Sequence, residues 1–215
     1  MEKNIRKISL EIDEHELKNN LEKYRKLAID MGATDAVIVS AKDIPVDERV
    51  VLKCEIPRCF GYGTGANCPP NTLTPQETRE YIAKYRYAIF FKKEVQPEVI
   101  ARDKTTIKER VEAYQLVFEI VNSVESNAFY DGYYLAFGLA AGSCKHTYCG
   151  LEKDCLALKD GKCRHSLKSR PSMEAVGIDA YKLATKVGWD IYPIGSDAKP
   201  NDIPKGSLTG IVLVC

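Results

Sequence analysis

No two of the eight cysteines in this 215-residue chain are separated by only two residues. The C-x2-C knuckle common in structural zinc sites is therefore missing, and the closest pairs, Cys54 with Cys59 and Cys144 with Cys149, are C-x4-C. Histidine is scarce at three residues. Net charge is nearly absent, with 31 basic against 30 acidic residues, and no basic stripe is interleaved with aromatics. Neither nucleic acid nor a membrane surface is therefore an expected partner. Long apolar runs are missing as well. The longest, from Tyr133 to Ala141, is far too short to span a bilayer. The first residues, MEKNIRKISLEIDEHE, are charged and contain no apolar export segment, so a cytoplasmic location is expected. There is no Walker A run, no His-Glu-x-x-His helix and no Ser-His-Asp arrangement.

What is present is a 45% apolar composition, enough for a real core, and cysteine in two groups. Periodicity predicts a helix over Leu17–Met31 closed by Gly32, and strands at Ala36–Ser40 and Arg49–Lys53. Thr74-Pro75-Gln76-Glu77 is a capping box that opens a helix running to about Tyr85. A strand is expected at Tyr87–Phe91, a long helix over Glu98–Glu125 and a strand over Tyr133–Ala140. A last helix over Asp179–Val187 precedes two strands, Asp190–Ile194 and Leu208–Val214, joined as a long hairpin. This alternation implies an α/β fold: one domain over 1–215 with a single mixed sheet flanked by helices. The two cysteine-rich loops, 54–70 and 143–170, should each follow a strand.

Cys144, Cys149, Cys155 and Cys163 are spaced C-x4-C-x5-C-x7-C. A cubane cluster is wider than an ion and suits ligands spread around a wrapping loop, so this spacing favours [4Fe–4S] over zinc. Gly142, Gly150 and Gly161 flank these residues, and glycine lets a backbone amide approach a cluster sulfur closely. From Ser143 to Arg170 seven basic residues face three acidic ones. Such surroundings favour an anionic thiolate centre and the docking of an acidic redox partner.

Cys54, Cys59 and Cys68 form a triad around the glycines at 61, 63 and 65. These glycines do not fit the dinucleotide fingerprint, because a cysteine and two prolines follow where a helix should open. A second centre on the triad leaves the fourth ligand open. A distant residue could supply it (Cys215, His146 or His165), or the position could stay free for a small molecule. Without a metal, the three would be small buried apolar residues. His15 reads as a surface residue, and Glu174 and Asp179 read as capping and packing residues.

Two stretches, CFGYGTGANCPPNTLTPQETREYIAKYRYAIFF and CRHSLKSRPSMEAVGID, resemble a prokaryotic cysteine-rich family described as predicted metal-binding proteins of unknown function. The resemblance runs from about Cys54 to the C-terminus. It implies Cys59, Cys68, Cys144, Cys149, Cys155 and Cys163 as ligands, with Cys54 added by its spacing. Ser166 stands where the family pattern often has proline, which removes a fixed turn there. The family implies no reaction. Three functions are therefore carried forward. The first is an iron–sulfur protein with one or two [4Fe–4S] clusters, acting in electron transfer or as a redox accessory. The second is a cluster-dependent enzyme whose open iron activates a small, perhaps sulfur-containing, substrate. The third is a structural zinc protein.

Overall fold

The computed structural model describes residues 5–9, 11–101, 107–195 and 197–215. The first helix, α1 (Glu14–Asp30), is capped by the Asp13 carboxylate, which accepts from the Glu16 amide. Gly32 then turns the chain with φ +111° into β1 (Asp35–Ser40). α2 (Glu48–Glu55) and α3 (Pro75–Ile82) follow, then β2 (Tyr87–Val95) and a single turn, α4 (Pro97–Ile100). α5 (Ile107–Tyr130) leads to the short β3 (Phe137–Leu139). α6 (Cys144–Tyr148), α7 (Leu156–Lys159), a 3-10 turn at Glu174–Val176 and α8 (Ala180–Lys186) precede β4 (Gly206–Leu213).

The fold is α/β around one sheet of order β1-β2-β4-β3. Its three ladders are all antiparallel, where a mixed sheet was expected; the one parallel contact is an isolated bridge between Ala140 and Ser172. β2 alternates across the sheet. Ile89 and Phe91 pack with Leu21, Tyr24, Phe118 and Val121 of α1 and α5, whereas Phe90 packs with Met173, Ile178 and Leu183 beneath α8. Both faces are covered, so β2 is apolar from Tyr87 to Phe91 and β4 from Gly210 to Leu213.

Several expected elements differ. Arg49–Lys53 is helical, not a strand. Asp47 caps this segment by accepting from the Arg49 amide, and that local bond overrides the β preference of Val50 and Val51. The first cysteine loop therefore starts from a helix, and Cys54 lies in its last turn. The expected Tyr133–Ala140 strand shrinks to three residues. The amides of Tyr133 and Ala136 are already bonded to the carbonyls of Ala128 and Tyr133 in turns. Asp190–Ile194 joins no ladder, and Pro193 within it has no amide to donate. Part of the expected Glu98–Glu125 helix, 102–106, lies outside the described residues; α4 and α5 flank it. The capping box of α3, the Asp179 cap of α8 and strands β1, β2 and β4 are as expected.

Candidate metal centre

Few apolar anchors hold the cysteine loops in place. No residue from 149 to 170 is buried, and none from 45 to 60. The exception is the wrap around the first loop's glycines, where Gly61, Gly65, Cys68 and Pro69 are buried. They are buried because the two loops press on each other. The Cys68 thiol donates to the Ser143 hydroxyl at 3.3 Å, and a Cβ at Gly65 would sit 3.3 Å from the Lys145 side chain. The Asn67 amide reaches the Cys144 sulfur at 3.5 Å and the Ser169 hydroxyl at 2.7 Å.

Cys144, Cys149, Cys155 and Cys163 line one cavity of about 220 Å³, closed by Ala66, Tyr148 and His165. The space is several times the ~30 Å³ share of a liquid water. Among the described residues, no group of three or more His, Cys, Asp or Glu side chains is arranged to hold a metal ion. The four thiols border a space rather than converge on a point.

Backbone amides are aimed at the sulfurs. The amides of Ala66, Leu158 and Ala157 point at Cys155, and the His165 amide donates to the Cys163 sulfur at 3.3 Å. Burial opposes ionisation of Cys155, yet those amides and the Lys145 charge bring its thiol below the ordinary cysteine value. Burial raises Cys149 and Cys68 instead, and pushes Cys54 up to about 11. Tyr148, on the cavity wall, is raised to about 12 by burial, and its hydroxyl is buried with no partner. A cavity with thiols on its wall, sulfur-directed amides and an orphaned hydroxyl suits a thiolate-bound group larger than one ion.

The glycines act differently from expectation. Gly142 turns the chain with φ +66°, and Gly150 packs on the His146 carbonyl. The sulfur-directed amides come from Ala66, Ala157, Leu158 and His165 instead.

In the triad, the Cys54 thiol feels Cys59, Cys68 and Glu174. Cys68 also lies within electrostatic reach of Cys144 and Cys155, so the triad adjoins the second loop. The three candidates for a fourth ligand separate clearly. His165 stacks on Tyr148 at 5.2 Å and lines the second cavity. His146 meets Phe60, the neighbour of Cys59, edge to face at 4.5 Å. Crowding by protein and the Lys145 charge lower its pKa. Cys215 is remote. β4 passes Leu139 at Ile211 and Phe137 at Leu213, so each step toward Cys215 leads away from Cys144. Its thiol is raised by burial and faces Arg86 and Glu14 rather than either cysteine group.

Glu174 was missed at the sequence level, where it read as packing. The 3-10 turn lays it against α2, close enough to influence Cys54, and burial raises its carboxyl above the usual range. Only its place in the Arg-Pro-Ser-Met-Glu-Ala stretch marked it out. His15 bonds Asn19 on the exposed face of α1, as a surface residue would.

A family model described as "Predicted metal-binding protein (DUF2284)" matches residues 37–214, nearly the whole of both loops and the sheet. The chain belongs to this family. Metal binding is thus the family's described property. No curated protein and no solved structure matches the chain. Among the described residues no helix is long and apolar enough to cross a membrane.

Proposed function

We propose that this family member is an iron–sulfur protein of electron transfer or redox assistance. A [4Fe–4S] cluster would be held by Cys144, Cys149, Cys155 and Cys163, and a second centre by Cys54, Cys59 and Cys68. The observation that carries the reading is the single cavity lined by four thiols, with backbone amides aimed at two of the sulfurs. A bound cluster would supply one-electron chemistry. The chain's own residues prepare for it. Amides and Lys145 stabilise thiolate at Cys155, and Asn67 donates to Cys144. Leu151, Leu158 and Leu167 are exposed beside the basic residues of 145–170, a surface suited to an acidic partner protein.

A second reading rests on the triad. With Cys215 remote, Glu174 lies within electrostatic reach of Cys54, and His146 packs on Phe60, the neighbour of Cys59. Neither is a thiolate, which favours a site-differentiated centre able to take a small substrate.

Anaerobic purification followed by iron and acid-labile sulfide analysis tests both readings. About four irons and four sulfides per chain are expected from the second loop alone. Cys155→Ala should remove that complement while leaving iron on the triad. Stoichiometric zinc without sulfide would replace the proposal with the structural zinc reading.

A further inference from the structure

A larger cavity, about 740 Å³, lies on the other side of the Asn67 wall. Its volume falls within the range of small-molecule sites, roughly 300–1,000 Å³. Ala66, Asn67 and Ser169 line both cavities, so an occupant here would be separated from the cysteine centre by one layer of side chains. We propose that this cavity binds an uncharged, largely apolar small molecule, and that Asn67 couples its occupancy to the cysteine centre. The coupling rests on the metal-centre reading above; the binding does not.

The chemistry of the wall sets the ligand class. Leu73, Ile82, Phe137, Leu139, Val176 and Leu213 supply an apolar floor from α3 and the segment before it, β3, β4 and the 3-10 turn at Glu174–Val176. The charged residues on the wall are Glu77, Glu125 and Arg170. Arg170 is committed: Nε and Nη2 donate to the two Glu125 oxygens at 2.9 and 2.6 Å, and Nη1 donates to the carbonyls of Ser169 and Ser166. Glu125 accepts the Gly138 amide as well. Glu77 engages one oxygen in the α3 cap, accepting from the Thr74 amide and hydroxyl at 2.8 Å each. Among the described residues no free cation remains on this wall to hold an anion, so a carboxylate or phosphate ligand would be desolvated without compensation. Polar contact is left to the amides of Asn67 and Asn71, the Thr72 hydroxyl and the Tyr81 phenol, which suits a neutral ligand with one polar edge.

Asn67 gives the cavity its link to the sulfur. One amide nitrogen donates both to Ser169 and to Cys144. A ligand that draws this amide toward itself weakens the bond to sulfur, and bonds to ligating sulfur tune a thiolate centre.

The test uses anaerobically purified full-length protein and N-phenyl-1-naphthylamine, an uncharged aromatic probe whose emission rises in apolar sites. Saturable binding is expected, with about tenfold loss of affinity in Leu73→Trp and in Asn71→Trp, both on the segment that leads into α3 along the cavity wall. Anilinonaphthalene sulfonate, an anion of similar shape, should bind about tenfold more weakly. No saturable binding to the wild type, or binding unchanged in both tryptophan variants, overturns the site whatever metal the chain carries. Equal affinity for the anion overturns the ligand class. Saturating probe should shift the thiolate-to-metal absorption of the wild type, and the shift should be lost in Asn67→Ala when each protein is compared at its own saturating probe concentration. An unmoved spectrum in probe-saturated, metal-loaded wild type overturns the coupling. A chain that proves metal-free overturns the coupling together with the metal-centre reading, and leaves the binding result standing.

Discussion

Lys92 is a buried cation on an interior strand, and its surroundings explain why it is tolerated. Its ammonium pairs with Glu94 at 2.7 Å and lies 5.2 Å from the Trp189 ring centroid. Trp189 in turn donates to Asp35 and stacks on Phe90. Glu94 also bonds Lys205, and these two lysines lower its pKa. A depressed carboxyl pKa stabilises the fold above the unfolded value of about 4.3, and that stabilisation is lost as pH falls through the folded value. Glu94→Gln should therefore cost about 1–2 kcal/mol at pH 7, with the gap to wild type closing below about pH 4. Urea melts across that window measure it; a constant gap would mean that packing, not charge, is what Glu94 provides. At the same scale, Glu174 and Asp179 show how one bland reading can divide. Asp179 caps α8 as expected, whereas Glu174 is carried to the cysteine triad by a turn that sequence periodicity does not reveal.

Gly142 controls how the second cysteine loop leaves the sheet. It precedes α6 with φ +66°, and a Cβ there would lie 2.6 Å from the Tyr114 ring. Gly161, with φ +70°, has open space at the same point. Alanine at either position pays roughly 1 kcal/mol for the left-handed backbone. Only Gly142→Ala also displaces a packed ring, for about 1–3 kcal/mol more. The melting temperature of Gly142→Ala should fall further, and its metal content should drop while that of Gly161→Ala holds. Equal losses would show that Tyr114 simply moves aside. At the level of elements, α3 was the most legible, since its capping box and N1 proline act within four residues. α2 was the least legible, because a run of β-branched residues competes with a cap formed by a single aspartate.

For the whole molecule, the contrast lies between a sheet buried on both faces and two loops with little apolar anchoring. The region 149–170 contains no buried residue, and its helix α7 has only four residues. Hydrophobic burial cannot be what holds it, so a bound group should. Stripping the protein with a chelator should expose Lys153, Lys159, Lys162, Arg164 and Lys168 to trypsin while the sheet fragments persist. An identical digestion pattern with and without metal would show that the loop packs on its own. The same architecture explains why the cysteine groups meet. One loop lies in the β1-to-β2 connection and the other in the β3-to-β4 connection, and only the folded sheet sets Cys68 against Ser143.

By itself, the sequence determined the α/β class, the capped helices, the core strands and the division of cysteines into four and three. Each of these depends on local periodicity, on caps within one turn, or on spacing along the chain. Tertiary structure decided the antiparallel ladders, the short β3 and the separation of Cys215 from both cysteine groups. It also decided that Asn67 and Glu174 stand beside the thiols and that His146 meets Phe60. These features depend on which amides are already bonded elsewhere and on contacts between segments some 80 or more residues apart, such as Asn67 with Ser169, and local pattern carries no record of them.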